Sequence, residues 1–319
     1  MCGASKDTLA PMTRLQILQA FDRIRVWQQG DKRAPHKPLL ILLALGRLQR
    51  GEASTVEFSQ IDAPLKTLID EFGPSGAGQN RHFPFWHLAS DDSGSIWQLT
   101  GPAEILQRAR GATPTLTELR QNHIAGGFTP DILAALQHDP GLLQEVARRI
   151  LDAHFPETIQ SDIQAAVGLN LSEPGLARSE PTEYGRRNRD PGFRDRVLRA
   201  YEYRCCVCGY DLRLGQQTIG LEAAHIKWFQ AGGPDVENNG LALCALHHKI
   251  FDLGAFTIQP DTYKLAFSQH LAGGEITKHT LLERHGSPLI KPQSPDYLPA
   301  GQFLAWHEKE VFKQPARQV

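Results

Sequence analysis

Cys205 and Cys208 form a C-x-x-C, and Cys244 and His247 form a C-x-x-H well downstream. Two such knuckles supply the thiolates and imidazole of a closed tetrahedral site, the chemistry of a structural Zn2+ ion. The alternative is a set of buried reduced cysteines. Cys206 could replace Cys205 in a distorted knuckle, but regular spacing favours Cys205. Interleaved with these ligands is a second set, His225, Asn239 and His248, which pairs two titratable imidazoles with an amide that does not titrate. The remaining cysteine, Cys2, stands alone near the start, and no secretory pattern is present. This is thiol and metal usage of a reducing compartment, so a cytoplasmic location is expected. The longest apolar run, Pro38 to Leu45, is too short for a bilayer that needs about 20 residues, so no membrane contact is expected.

The elements around these residues must position them. Thr218 to Ile226 alternates as a strand does, Gln230 to Asn239 is rich in Gly, Pro and Asn, and Leu241 to Phe251 leads into a helix. That order puts His225 at a strand end and His248 on the helix. Adjacent helical residues point about 100° apart, so His247 can serve one ion and His248 another.

The runs E-A-A-H-I, N-G-L-A-L-C and H-H-K-I-F-D-L-G resemble the HNH family of ββα-metal nucleases, in the subgroup stapled by a structural zinc. His225, Asn239 and His248 fall on the three residues that name the motif. The resemblance implies phosphodiester hydrolysis, with His225 as general base and Asn239 orienting His225 or binding backbone within the loop. It also implies a single Mg2+ or Mn2+ ligated by His248. The family often has an acid directly before the base, where this chain has Ala224. Asp252, one turn after His248, is the expected second ligand, and Glu222 is the alternative.

In the N-terminal half, periodicity predicts helices over Thr13 to Gln29, Ile61 to Phe72, Leu133 to Ile150 and Phe155 to Val167, and one with Pro38 in its first turn that stops at Gly51. His36 and Lys37 would sit at a helix N-terminus, where backbone N–H groups favour an anion. Asn80 to Leu88 reads as one strand of a hairpin with Ile96 to Leu99. Phe83, Phe85 and His87 would then share a face, with Arg81, His82 and His87 as a cationic rim around an apolar dent. Asn170 to Pro191 loses all periodicity, and the arginines of Phe193 to Tyr201 follow it. The formal net charge of the 319 residues is only -1. Nucleic acid, if bound, must be held by local patches and not by bulk charge.

The runs P-H-K-P-L-L-I-L-L-A-L-G, R-H-F-P-F-W-H-L, G-G-F-T-P and H-F-P-E-T-I resemble the sulfur-binding domain of restriction endonucleases that attack phosphorothioate-modified DNA. The likeness implies a sulfur pocket formed by His36 and Lys37 with Phe83 and Pro84, and with His87 nearby. Lys37 stands where an Arg can occur, Phe83 where a Tyr can occur and His87 where a small residue can occur. Arg81, Arg108 and Arg110 are the expected DNA-backbone contacts. The partner is then double-stranded DNA carrying phosphorothioate linkages; a double-strand break would come from a homodimer or from successive nicks. A domain reading methylated bases or a protein partner, or a zinc module without catalysis, are the competing functions. The expected fold is α+β. Residues 1–169 form a mainly helical domain with a small hairpin or sheet, 170–190 a linker, and 191–319 a ββα-metal domain with its zinc and a C-terminal extension.

Overall fold

The computed structural model describes residues 12–26, 32, 34–108, 112–171 and 189–318. Most of the expected linker, and Arg110, lie outside these residues. Two hydrophobic cores form, one largely from residues 17–169 and one from 193–304.

The first core is mainly helical. Helix α1 (Arg14–Asp22) starts on a capping box between Thr13 and Gln16, and α2 (His36–Gln49) carries Pro38 in its first turn. Strand β1 (Thr55–Glu57) leads directly into α3 (Phe58–Phe72). The segment expected to be a strand is instead a short helix, α4 (His82–His87). Pro84 cannot donate to a sheet ladder but fits a helix's first turn, and this decides the conformation. Strand β2 (Trp97–Thr100) is present as expected but pairs elsewhere. After α5 (Ala103–Leu106) and α6 (Leu116–Gln121), β3 (Ala125–Phe128) forms the centre of an antiparallel sheet ordered β1-β3-β2.

Strand β3 was not legible because glycine is a poor strand residue. Here it is required by packing: a Cβ on Gly126 would come within 2.8 Å of the Trp97 ring and 2.9 Å of Phe85. Phe58, Phe85, Trp97, Phe128 and Phe21 stack edge-on across this bare strand with centroids 5.1–6.1 Å apart. The single helix expected over Leu133 to Ile150 is two helices, α7 (Pro130–His138) and α8 (Pro140–His154). Pro140 would clash inside a continuous helix, and Asp139 caps the new start by accepting from the Leu142 N–H at 3.0 Å. Helix α9 (Glu157–Val167) ends at Gly168, whose φ of 68° is the left-handed stop read from the sequence.

The second core begins with α10 (Phe193–Ala200) and a small hairpin of β4 (Arg213–Leu214) and β5 (Gln217–Thr218). Strands β6 (Leu221–His225) and β7 (Gly240–Cys244) then pair antiparallel and feed α11 (Ala245–Asp252). A further hairpin, β8 (Phe256–Ile258) with β9 (Leu265–Phe267), precedes α12 (Glu275–Thr280) and α13 (Gly301–Glu310).

The two halves are joined by a packed seam. Trp228, two residues beyond β6 and its following Ile226, is buried in the first core against Trp306 of α13, with centroids 6.1 Å apart. Gln230 donates to the Phe155 carbonyl at 3.1 Å. The chain end returns to the first domain, where Lys313 donates to the Asp70 and Gly73 carbonyls at 2.9 and 2.7 Å.

Arg81 is turned into the first core, 7% exposed, and pairs with Asp62, which also pairs with Arg120. Burial alone would raise the Asp62 pKa, but hydrogen bonds from Arg81 and Arg120 outweigh it and hold the carboxyl below its ordinary value. Its stabilisation is therefore complete above the unfolded carboxylate range and is lost as pH falls through the depressed folded value. Asp62→Ala strands a buried guanidinium and is expected to cost about 3–5 kcal/mol in denaturant unfolding at pH 7, with the difference from wild type shrinking in strong acid.

Candidate functional site

Cys205 and Cys208 flank the turn after α10, where the Gly209 N–H closes onto the Cys205 carbonyl at 2.8 Å. Cys244 ends β7 and His247 lies in the first turn of α11. These four side chains can hold a metal ion: their ligand atoms all lie within 4.8 Å of one another. His247 Nδ1 stands 3.1 Å from Cys244 Sγ and 3.7 Å from Cys205 Sγ, and Cys208 Sγ is 4.0 Å from Cys244 Sγ. Such spacings lie on either side of the edges, roughly 3.5–3.8 Å, of a tetrahedron with metal–S and metal–N bonds of about 2.3 and 2.0 Å. Burial disfavours a charged His247, yet the Cys205 and Cys244 sulfurs raise its pKa to about 9. The field that holds a proton there also favours a cation. His247 Nε2 is buried with no hydrogen-bond partner, so Nδ1 is the nitrogen turned to the thiols. Cys206 is outside the cluster and fully buried, and its N–H donates to the Ala242 carbonyl at 2.8 Å.

The second set surrounds the same hairpin and helix from another side. His225 pairs with Gly240 across β6 and β7, and its ring stacks on Phe193 at 4.1 Å and 15°. Gly240 is needed there, since a Cβ would come within 2.4 Å of Val197. His225 Nε2 lies 2.7 Å from Asp235 Oδ1. Burial lowers the His225 pKa, Asp235 opposes this, and the net direction is down, so the imidazole is neutral at neutral pH. Asn239 is fully buried: its Oδ1 accepts from the Lys227 N–H at 2.9 Å, and its Nδ2 donates to the carbonyls of Lys227 and Pro234 at 3.1 and 2.9 Å. It pins both ends of the loop that carries Asp235.

His248 is held between two carboxylates. Its Nδ1 is 2.6 Å from Glu222 Oε2 and its Nε2 is 3.2 Å from Asp252 Oδ2. Burial works against charge on this ring, but Asp252 and then Glu222 raise its pKa to about 9. The two carboxylates differ in access. The Glu222 side chain is 44% exposed, whereas that of Asp252 is 2% exposed and accepts from the Thr158 hydroxyl of α9. The Asp252 charge is also felt at His225, so His225 and the His248 group share one electrostatic environment.

The residues read as an anion pocket also come together, because α4 packs on α2. Their charge state differs from the expected cationic rim. Lys37 Nζ is bonded to both oxygens of buried Asp91 at 2.8 and 2.6 Å. Burial, reinforced by Lys37, lowers the His87 pKa, and burial with Arg81 lowers that of His82, so both rings are neutral. Phe83 is 43% exposed between them, 4.3 Å from the His82 ring and 6.1 Å from that of His87, while Pro84 is buried beneath. His36 Nε2 stands 3.2 Å from the Ala77 carbonyl. Arg81 is not available to a ligand, because its guanidinium is consumed by Asp62, and Arg108 is paired with Glu118.

Asp235 and Thr158 were missed by sequence reasoning. Asp235 follows a Gly-Gly-Pro turn, whose only legible message is that the chain folds back between His225 and Asn239. Thr158 lies in the other half of the chain and carries no local signal at all.

Residues 14–172 match the family model described as ScoMcrA-like, DNA sulfur-binding domain, and residues 205–259 match the model described as HNH endonuclease. Among solved structures, the chain is similar to the sulfur binding domain of ScoMcrA complexed with phosphorothioated DNA, at 20% identity and TM-score 0.42, covering 48% of this chain and 94% of that one. It is similar to the corresponding SprMcrA complex at 19% identity and TM-score 0.39, covering 50% and 95%. A modification dependent restriction endonuclease, TagI, matches at 25% identity and TM-score 0.28, covering 46% and 41%. No curated protein matches the chain. The family models, not these distant superpositions, carry the functional reading.

The Cys205, Cys208, Cys244 and His247 cluster is expected to bind one equivalent of a thiolate-preferring metal per chain by elemental analysis. Cys208→Ala should lose the metal and melt at least roughly 10 °C lower, whereas Cys206→Ala should keep it.

Proposed function

We propose that the chain, which joins a DNA sulfur-binding domain of the ScoMcrA-like family to an HNH endonuclease domain, the make-up of a modification-dependent restriction endonuclease, hydrolyses phosphodiester bonds near a phosphorothioate linkage in double-stranded DNA. The observation that carries this reading is the gathering of His225, Asn239 and His248 on one strand–loop–strand–helix unit, beside a separate thiolate cluster.

His225, neutral and backed by Asp235, takes the proton from the attacking water. Asp235 accepts from Nε2–H and so leaves the opposite nitrogen, Nδ1, as the basic one. Asn239 holds the loop that makes this geometry. His248 Nδ1 and Glu222 hold a divalent cation, Mg2+ or Mn2+; their imidazole and carboxylate donors fit such an ion, and Glu222 is the carboxylate that DNA can approach. When bound, the cation supplies positive charge to the scissile phosphate and the departing oxygen. Asp252, closed off from solvent, orients His248 through Nε2 instead of reaching the phosphate. The thiolate cluster takes Zn2+ and fixes the start of α11, which aims His248.

Selection falls to the neutral aromatic dent of Phe83, His82 and His87 beside Lys37. A non-bridging sulfur is larger and less strongly hydrated than oxygen, so it gives up less on entering such a surface. An ordinary phosphate would lose hydration there, and Lys37, paired with Asp91, would compensate it poorly. The near-neutral net charge limits the sequence-independent binding that would blunt this preference. Among the described residues no helix is long and apolar enough to cross a membrane. A double-strand break from one such centre requires a second copy of the chain or a second nick.

With Mn2+ or Mg2+, plasmid carrying phosphorothioate linkages is expected to be cut while otherwise identical unmodified plasmid stays intact; equal cutting of both would sink the sulfur reading. His225→Ala should lower the cleavage rate by about 10²–10⁴-fold with DNA binding retained. The acidic limb of the wild-type pH–rate profile should fall below the ordinary histidine value of about 6.5. Asp235→Asn removes the group that props up the His225 pKa, so its limb should move to still lower pH as the plateau rate drops.

A further inference from the structure

Helix α11 is gripped from outside its own domain at the two positions that follow His248 most closely on the seam side. Lys249 donates to the Thr158 carbonyl and pairs with Asp162, both in α9. Asp252 accepts from the Thr158 hydroxyl with the same oxygen, Oδ2, that meets His248 Nε2. Thr158 belongs to the segment matched by the sulfur-binding family, well before the nuclease segment begins.

We propose that Thr158 is a positioning residue of the nuclease centre, contributed by the recognition domain and acting through Asp252 on His248. The proposal rests on the nuclease reading above. A histidine that ligates through one nitrogen needs its other N–H fixed, otherwise the ring turns over or takes the wrong tautomer. Asp252 does this at Nε2, which leaves Nδ1 on the Glu222 side for the cation. A carboxylate that is 2% exposed cannot rely on water to hold its own orientation. The Thr158 hydroxyl performs that task, and it satisfies a buried charge that would otherwise be costly. The relay therefore runs from the Thr158 hydroxyl to the Asp252 carboxylate, then to the His248 ring and the cation-binding nitrogen. Its first member sits in the domain that reads the modification, so the nuclease centre is complete only when α9 is docked on α11. Gln230, which ties the loop following His225 to the Phe155 carbonyl just before α9, braces the other side of the centre on the same domain.

The test is Mn2+ binding to the zinc-loaded 319-residue chain, followed by electron paramagnetic resonance or calorimetry and so independent of cleavage. Thr158→Val keeps the shape and removes the donor. It is expected to weaken Mn2+ binding by about 3–10-fold and to raise the Mn2+ concentration for half-maximal cleavage by the same factor. Affinity for phosphorothioate DNA should be unchanged, and Thr158→Ser should restore both Mn2+ quantities. Asp252→Asn, one link nearer, should cost about 10–100-fold in Mn2+ affinity. Should Thr158→Val fail to fold, Thr158→Ala removes the same donor and carries the same expectation, and its wild-type Mn2+ affinity would equally overturn the relay. Wild-type Mn2+ binding in folded Thr158→Val, or in Asp252→Asn, overturns the proposal. His248→Ala separates the two levels: if it abolishes Mn2+ binding while Thr158→Val has no effect, only the relay fails. If His248→Ala also binds Mn2+ normally, the assignment of the cation to His248 fails and takes the relay with it.

Discussion

Consecutive helical residues diverge by about 100° around the axis, and His247 and His248 of α11 use that divergence to face different chemistry. His247 turns to three sulfurs and His248 to two carboxylates. The helix must therefore be fixed in rotation as well as in position, because turning it would degrade both sites together. Its N-terminus is held by Cys244 and His247 in the cysteine–histidine cluster, its flank by β6 through Glu222, and its far end by α9 through Lys249 and Asp252. Phe251 is clamped further by the His307 ring of α13, stacked at 3.7 Å and 3°. The C-terminal extension thus serves the same constraint.

The recognition half follows a different logic. It gathers basic and titratable residues where α2 meets α4, then suppresses most of their charge. Lys37 is neutralised by Asp91, while burial disfavours protonation of His82 and His87. What remains is an aromatic surface with neutral imidazole edges. Of the expected arginines that lie among the described residues, both are committed to the fold: Arg81 to Asp62, Arg108 to Glu118.

These halves are not beads on a string. Trp228, which follows β6 and His225, is buried in the core of the first domain, and Lys313 returns to cap the carbonyls that end α3. Recognition and nuclease elements are cross-braced at a packed seam, and packed seams transmit displacement because close-packed interiors deform little. The position of α9 is therefore an input to the geometry around His248.

The local chain pattern determined a great deal. The C-x-x-C and C-x-x-H pairs named the four side chains that the fold gathers into one cluster, and the strand, loop and helix around His225, Asn239 and His248 followed from alternation and from turn residues. The Thr13 cap and the Gly168 stop were equally readable, because capping depends on groups within a few residues of each other. Pro84 and Pro140 were present to be read, but aromatic alternation and apolar spacing masked them, and the proline ring's steric limits overrode both patterns. Only the tertiary structure decided that Arg81 points inward, that Asp235 backs His225, that Asp252 is enclosed while Glu222 is open, and that Thr158 reaches across from another domain. The physical reason is that hydrophobic burial brings remote segments together without directional preference. The polar partners it leaves face to face are set by the packed geometry, and no local spacing records them.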